Sequence, residues 1–272
     1  MRRRDLLPAL LLAACAPRDK PEAKLQGYDV LVPPGREATL AAKLEKRGVA
    51  GINPDLRGEP VVFRFRGTLL GRAATAADGL ASLAWKPPGP GEHEIVVEVA
   101  PESRYRGSAL LRVFVRGRER PALVVDLDGT VCAASSWEVA VDRPEEQAAV
   151  PGAAAALVRL AERYDVIYLT ARDDALLAKS RRWLDLRGFP RGPVLVRDLS
   201  LGNLSAGRYK RERLAALRKD FRLAAGVGDR KEDAEAYLSA GMSAILVGDE
   251  DDVPEGARTC ADWEEVARVL SG

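Results

Sequence analysis

The chain has 272 residues, enough for two compact domains or one large one, and its apolar fraction of 47% excludes a disordered tail. Lys and Arg number 42 against 40 Asp and Glu, a balance that argues against a dedicated nucleic-acid binder. One histidine, His93, disfavours histidine triads and histidine metal clusters, and three cysteines exclude a disulfide scaffold or a four-cysteine zinc site.

The chain opens Met1-Arg2-Arg3-Arg4-Asp5-Leu6-Leu7, runs apolar from Ala9 to Ala14 and reaches Cys15. A basic cluster, a short apolar run and small residues describe an export signal, and the run is too short to span a bilayer. Leu12-Ala13-Ala14-Cys15 resembles a bacterial lipoprotein cleavage box, and the arginine run resembles a twin-arginine signal. These resemblances imply a signal peptide over 1–15, lipidation at Cys15 and location in the periplasm or cell envelope. Residues 16–27 read as a charged, proline-containing linker.

From Tyr28 to Arg118 the pattern predicts short strands separated by turns. Arg36–Leu44, Val61–Arg66, Gly79–Trp85, Glu94–Val99 and Ala109–Val115 alternate or are rich in strand formers. Pro33-Pro34-Gly35, Asp78-Gly79 and Pro87-Pro88-Gly89 supply turn chemistry. This grammar predicts an all-β sandwich over 28–118, and it resembles bacterial immunoglobulin-like domains. No catalytic constellation is visible there. His93 reads as a surface or rim residue.

From Pro121 the grammar becomes strand, helix, strand. Strands are predicted at Ala122–Asp128, Asp165–Leu169, Pro193–Arg197, Leu223–Gly228 and Ser243–Val247. Helices are predicted at Gly152–Arg163, Asp174–Arg187, Tyr209–Lys219 and Lys231–Ala240. Alternating βα units with continuous apolar strands predict a five-stranded parallel sheet covered on both faces. Polar groups then collect beyond the carboxyl ends of the strands, at Asp128, Thr170 and Asp229.

Asp126, Asp128, Asp229 and Asp233 form a set of carboxylates that repel one another unless a cation sits among them. Hard oxygen ligands without histidine or paired cysteine select magnesium over zinc or copper. The hydroxyl of Thr170 and the ammonium of Lys210 suit a phosphoryl group. Taken singly, each residue has a plain alternative: a strand-end cap, a helix cap, a solvated lysine. Arg172 and Arg230 belong at the rim of the site or pair with Asp173 and Glu232, and the sequence leaves both readings open. Cys132 and Cys260 read as unpaired thiols, although export would permit a disulfide.

Asp126-Leu127-Asp128-Gly129-Thr130, Leu169-Thr170, Lys210 and Gly228-Asp229-Arg230-Lys231-Glu232-Asp233 occur in the order of the four motifs of haloacid-dehalogenase-like (HAD) phosphohydrolases, which 119–272 resembles. The resemblance implies a Rossmann-like three-layer α/β domain. It implies that Asp126 is the nucleophile and that Asp128 is the acid and base. It implies that Thr170 and Ala171, with Leu127, Gly129 and Thr130, hold the phosphoryl oxygens. Lys210 would balance charge, and Lys219, its competitor, lies at the far end of the same helix. Magnesium would bind Asp126, the Asp128 carbonyl, Asp229 and Asp233.

The short spacing between motifs leaves no room for a large cap. Tyr168-Leu169-Thr170-Ala171-Arg172, Arg182-Trp183-Leu184 and Gly188-Phe189-Pro190 are similar to lipin-type phosphatidate phosphatase domains and to the related domain of phosphatidylinositol-transfer proteins. That similarity implies a lipid phosphate substrate at a membrane reached through Cys15. The alternatives are a phosphatase for soluble nucleotides or sugar phosphates, and a surface module that only recognises phosphate. No nucleic-acid partner is expected.

Overall fold

The computed structural model describes residues 20–48, 53–133, 143–197 and 205–272. The leader, Cys15 and residues 16–19 of the expected linker lie outside the described residues. The chain divides into two compact units. One comprises residues up to Tyr28, Thr39–Trp85 and Glu94–Leu111; the other comprises Asp29–Ala38, Lys86–His93 and Arg112–Gly272. The division is therefore not a single cut near residue 118.

Among the described residues eight strands precede Pro121: β1 (Ala23–Gly27), β2 (Val30–Val32), β3 (Ala38–Lys46), β4 (Pro60–Phe65), β5 (Thr68–Ala74), β6 (Leu80–Trp85), β7 (Gly91–Val99) and β8 (Ser108–Val115). They form a three-stranded sheet in the order β1-β3-β6 and a five-stranded sheet in the order β2-β8-β7-β4-β5. Ala38, Leu40, Ala42 and Leu44 along β3 are all buried, which is the period-two signature of a strand with one core face. Arg66 and Gly67 both take positive φ, so a tight primed turn joins β4 to β5. The expected linker gives way at Ala23, because residues 23–27 pair antiparallel with β3 as Leu25 meets Leu44. Its alternating Ala23, Leu25 and Gly27 were hidden by the charged residues before them. His93 is buried, not at the rim, and its Nε2 lies 2.8 Å from the Gly89 carbonyl.

The α/β elements are β9 (Ala122–Val125), α1 (Ala153–Leu160), β10 (Asp165–Asp173), α2 (Leu177–Leu186), β11 (Val194–Arg197), α3 (Ala206–Leu217), β12 (Leu223–Gly228), α4 (Lys231–Ser239), β13 (Ser243–Val247), β14 (Ala257–Cys260) and α5 (Trp263–Ser271). The sheet is parallel, in the order β11-β10-β9-β12-β13-β14. It has six strands where the sequence predicted five. The extra edge strand, Ala-Arg-Thr-Cys, buries only Cys260, so its composition carried no strand signal. It also places Cys260 in the sheet. Cys132 and Cys260 are both buried, and no disulfide joins them.

β9 occupies the middle of the sheet, and all four of its residues are buried. Val124, Ile167, Leu169 and Leu195 on one face join Leu214 and Leu217 of α3 and Tyr237 of α4 in one core. Successive strand residues alternate faces, so Leu123 and Val125 line the other face. α1 packs against α5, whose Trp263 is fully buried. Ser205 caps α3, its hydroxyl accepting from Arg208 N–H.

A buried ion pair ties residue 29 to the α/β elements of its unit. Asp29 Oδ1 lies 2.7 Å from Arg181 Nη2, and Oδ2 accepts from Arg181 Nε at 3.1 Å and from Val194 N–H at 2.9 Å. Burial pushes the Asp29 carboxyl above its usual pKa, against the pull of Arg181. Removing one partner of such a pair strands the other charge. Asp29→Ala is therefore expected to cost about 3–5 kcal/mol in urea unfolding. A loss below about 1 kcal/mol would mean that Arg181 finds water or another partner.

Candidate active site

Parallel register brings the carboxylates together. Val125 of β9 pairs with Val227 of β12, and Asp126 N–H donates to the Val227 carbonyl at 3.0 Å. Asp126 therefore leaves β9 level with Gly228, one residue before Asp229. On the other side Tyr168 of β10 pairs with Val125, which sets Thr170 level with Leu127. α4 begins at Lys231, directly after β12, and delivers Asp233 from its first turn. Gly228 permits this approach: a Cβ there would lie 2.5 Å from Asp233 Cβ.

Carboxylate oxygens of Asp126, Asp229 and Asp233 lie within 4.8 Å of one another. Lys210, near the start of α3, reaches into this cluster. Its Nζ sits 2.9 Å from Asp126 Oδ1 and donates to Asp233 Oδ1. The lysine is buried, as are Asp126 and Asp233, whereas Lys219 is exposed and takes no part. Burial opposes the ammonium charge, but Asp126 and Asp233 outweigh it and hold the Lys210 pKa above its usual range. The Asp126 carboxyl is pushed up to about 7, first by burial and then by Asp233 and Asp229, with Lys210 pulling the other way. Burial also raises Asp229, against the hydroxyl bond from Thr130.

Three carboxylates and one ammonium leave two negative charges when all are ionised. Beyond its ion pair with Lys210, the buried Asp126 Oδ1 accepts no hydrogen bond. This oxygen-only set, with spare charge and a buried oxygen, fits one hard divalent cation. Gly129 shows how tightly the loop is drawn in. It takes φ +75°, and a Cβ on it would come within 2.0 Å of Asp229 Oδ2. Only glycine fits that conformation and that gap.

Two of the expected phosphate-binding groups are otherwise engaged. The Thr130 hydroxyl donates to Asp229 Oδ1 at 2.8 Å, so it orients a carboxylate and is not turned to a phosphoryl group. Gly129 N–H donates to the Cys132 carbonyl at 2.9 Å, because the loop folds back on itself after Asp128. Leu127 is fully buried, so only its main chain remains for the expected role. Thr170 is buried within β10, which runs on to Asp173 where the sequence predicted an end at Leu169. The Thr170 hydroxyl accepts from Arg172 N–H at 3.2 Å, which leaves its own hydrogen to donate. Ala171 is half-buried beside it.

Asp128 stands apart from the other three carboxylates. Its Oδ1 accepts from Arg172 Nε at 2.9 Å and Nη2 at 2.5 Å. Arg172 also donates from Nη1 to Ser180 Oγ of α2 at 2.8 Å. The arginine pairs with neither Asp173 nor Glu232, and its side chain is fully buried. Alternation along β10 could have flagged it, since Thr170 and Arg172 share a face. Arg230 is exposed and stays 3.8 Å from Asp229, at the rim. Among the described residues, the segments between β9 and β10 and between β10 and α3 hold only α1, α2, β11 and a short 3-10 turn.

No curated protein matches the chain. Among solved structures, a D,D-heptose 1,7-bisphosphate phosphatase from B. bronchiseptica, complexed with magnesium and phosphate, is 25% identical with a TM-score of 0.43. That match covers 56% of this chain and 98% of the other. A HAD-superfamily hydrolase of subfamily IA from Geobacter sulfurreducens is 15% identical with a TM-score of 0.41, covering 57% of this chain and 98% of that one. Residues 123–247 match the family model described as PITM 1-3, LNS2 domain, and Asp126, Thr170, Lys210, Asp229 and Asp233 all fall within that stretch.

Proposed function

We propose that the α/β region is a magnesium-dependent phosphomonoester hydrolase that works through a phosphorylated Asp126. The observation that carries this reading is the buried Asp126 carboxylate, 2.9 Å from Lys210 Nζ and clustered with Asp229 and Asp233. A carboxylate is a competent nucleophile toward phosphorus when nearby positive charge offsets the phosphoryl oxygens.

In the first half-reaction an Asp126 oxygen attacks phosphorus, and the ester P–O bond breaks. Asp128 gives its proton to the departing oxygen. In the second, Asp128 takes a proton from water as the water oxygen attacks phosphorus, releasing phosphate and restoring Asp126. Lys210 balances the charge shared by Asp126 and the phosphoryl group, and the Thr170 hydroxyl donates to a phosphoryl oxygen. Asp126, Asp229, Asp233 and the Asp128 carbonyl would hold the magnesium ion. When bound, that ion supplies positive charge to the phosphoryl oxygens.

The substrate we infer is a lipid phosphate such as phosphatidate, met at a membrane to which lipidated Cys15 tethers the exported chain. The LNS2 match over 123–247 and the order of charge, apolar run and cysteine in the leader support this reading. Among the described residues no helix is long and apolar enough to cross a membrane. The β region we read as an immunoglobulin-like sandwich that spaces or presents this site.

The chain from residue 16 onward should hydrolyse p-nitrophenyl phosphate with magnesium and lose the activity with EDTA. Asp126→Asn should lower turnover about a thousandfold or more. A panel of phosphatidate in micelles, nucleotides and sugar phosphates separates lipid from soluble substrates. Equal inertness of wild type and variant on the whole panel would favour a phosphate-recognising module.

A second expectation concerns stability. Asp126 titrates in the fold at about 7, above the ordinary 3.8. The fold thus favours its protonated form, and stability falls as pH rises from about 4 to about 7. Without metal, Asp126→Asn should melt higher than wild type at pH 8, and the difference should vanish near pH 4. Magnesium should raise the wild-type Tm at pH 8, by about 2.7 kcal/mol of stability at a hundredfold excess over Kd. Asp229→Asn should weaken that rise. A wild-type Tm at pH 8 indifferent to magnesium would remove the metal from this reading.

A further inference from the structure

Lys210 holds Asp126 and Asp233, and a second buried cation, Arg172, holds Asp128. Arg172 puts two nitrogens on Asp128 Oδ1, at 2.9 and 2.5 Å. A third nitrogen is fixed to Ser180 Oγ at 2.8 Å. The Arg172 side chain is fully buried, and Ser180 is buried too. A guanidinium is a rigid planar fork, so anchoring one end to Ser180 sets the direction of the other. The Asp128 side chain thereby has one orientation, fixed from α2 through Arg172. Burying an arginine is costly, and Asp128 is what holds its charge above the opposing effect of burial.

We propose that Arg172 is a positioning residue for the acid–base carboxylate, acting through Asp128 with Ser180 as its anchor. The inference rests on the phosphohydrolase reading above. Its work falls on the proton transfer: as the ester P–O bond breaks, the Asp128 proton passes to the leaving oxygen, giving an alcohol and an Asp128 carboxylate. A leaving group that departs readily as an anion needs little of this help. A poor leaving group needs all of it. Misplacing Asp128 therefore penalises poor leaving groups selectively, whereas a general loss of structure penalises every substrate alike.

The test compares wild type, Asp128→Asn, Arg172→Lys and the double variant on p-nitrophenyl phosphate and phenyl phosphate. Lysine keeps the charge but cannot make the fork that spans Asp128 and Ser180. Arg172→Lys should lower kcat on phenyl phosphate about tenfold more than on p-nitrophenyl phosphate, with KM little changed, as Asp128→Asn should. In the Asp128→Asn background the lysine substitution should cost nothing further. The magnesium-induced rise in Tm should persist in Arg172→Lys, because Asp126, Asp229 and Asp233 remain in place. Equal losses on both substrates, or independent losses in the double variant, would overturn the inference and leave the phosphohydrolase reading standing. A wild type inert toward both esters would overturn that reading, and this inference with it. Should Arg172→Lys fail to fold, Ser180→Ala removes only the anchoring hydroxyl. It should show the same leaving-group bias to a smaller degree, and its absence counts against the proposal.

Discussion

Three carboxylates whose oxygens lie within 4.8 Å of one another cannot all stay charged in a protein interior without a cation, and Lys210 is the buried cation set among them. The rest of the α/β region is arranged around that requirement. Asp126 and Asp229 follow adjacent parallel strands, so register alone places them side by side. Asp233 comes from the first turn of the following helix. Lys210 comes from another helix start, cut short of solvent by the core beneath it. Burial first, and then the neighbouring Asp233 and Asp229 carboxylates that one ammonium does not balance, raise the pKa at Asp126. The fold stores an unfavourable charge at the point where a divalent cation would relieve it.

Holding that arrangement requires small residues and borrowed hydroxyls. Gly129 and Gly228 stand where any side chain would strike Asp229 or Asp233. Thr130 spends its hydroxyl on Asp229, and the main chain of the same residue accepts from the Trp263 indole at 2.8 Å. Trp263 is fully buried at the start of the last helix. The last helix thus reaches the loop after β9 through Trp263, and a carboxylate of the cluster is oriented from an element with no chemistry of its own. Second-tier contacts of this kind set the direction of a ligand group as much as the ligand residue does.

Much of this was legible before the structure. Apolar runs ending in Asp128, Thr170 and Asp229 sufficed to place three polar groups at one sheet edge, because parallel strands end on the same side. Lys210 was preferred over Lys219 for the same reason, and the helix does present its N-terminal end to the cluster. The β14 edge strand was not legible, since one buried cysteine in four residues leaves no period to read. The partners within the site were harder still. Thr130 and Gly129 sit in a motif whose family resemblance implies contact with a phosphoryl group, yet a hydroxyl and an amide bond whatever the loop brings nearest. A five-residue turn that closes on Cys132 is decided by packing, not by composition.

Arg172 shows the same limit from the other direction. In sequence its neighbours are Asp173 and Asp174, and an exposed pair with either is the ordinary expectation for a charged run. Its place on β10 turns it inward, toward the face that Thr170 shares, and there the acid available is Asp128. The consequence is two separate charge compartments at one sheet edge. Asp126 belongs to a buried set with too little positive charge, and Asp128 belongs to a discrete pair with an arginine of its own. Carboxylates two residues apart in the chain thereby acquire different electrostatic surroundings. A single mechanism that asks one of them to attack and the other to move a proton depends on that separation.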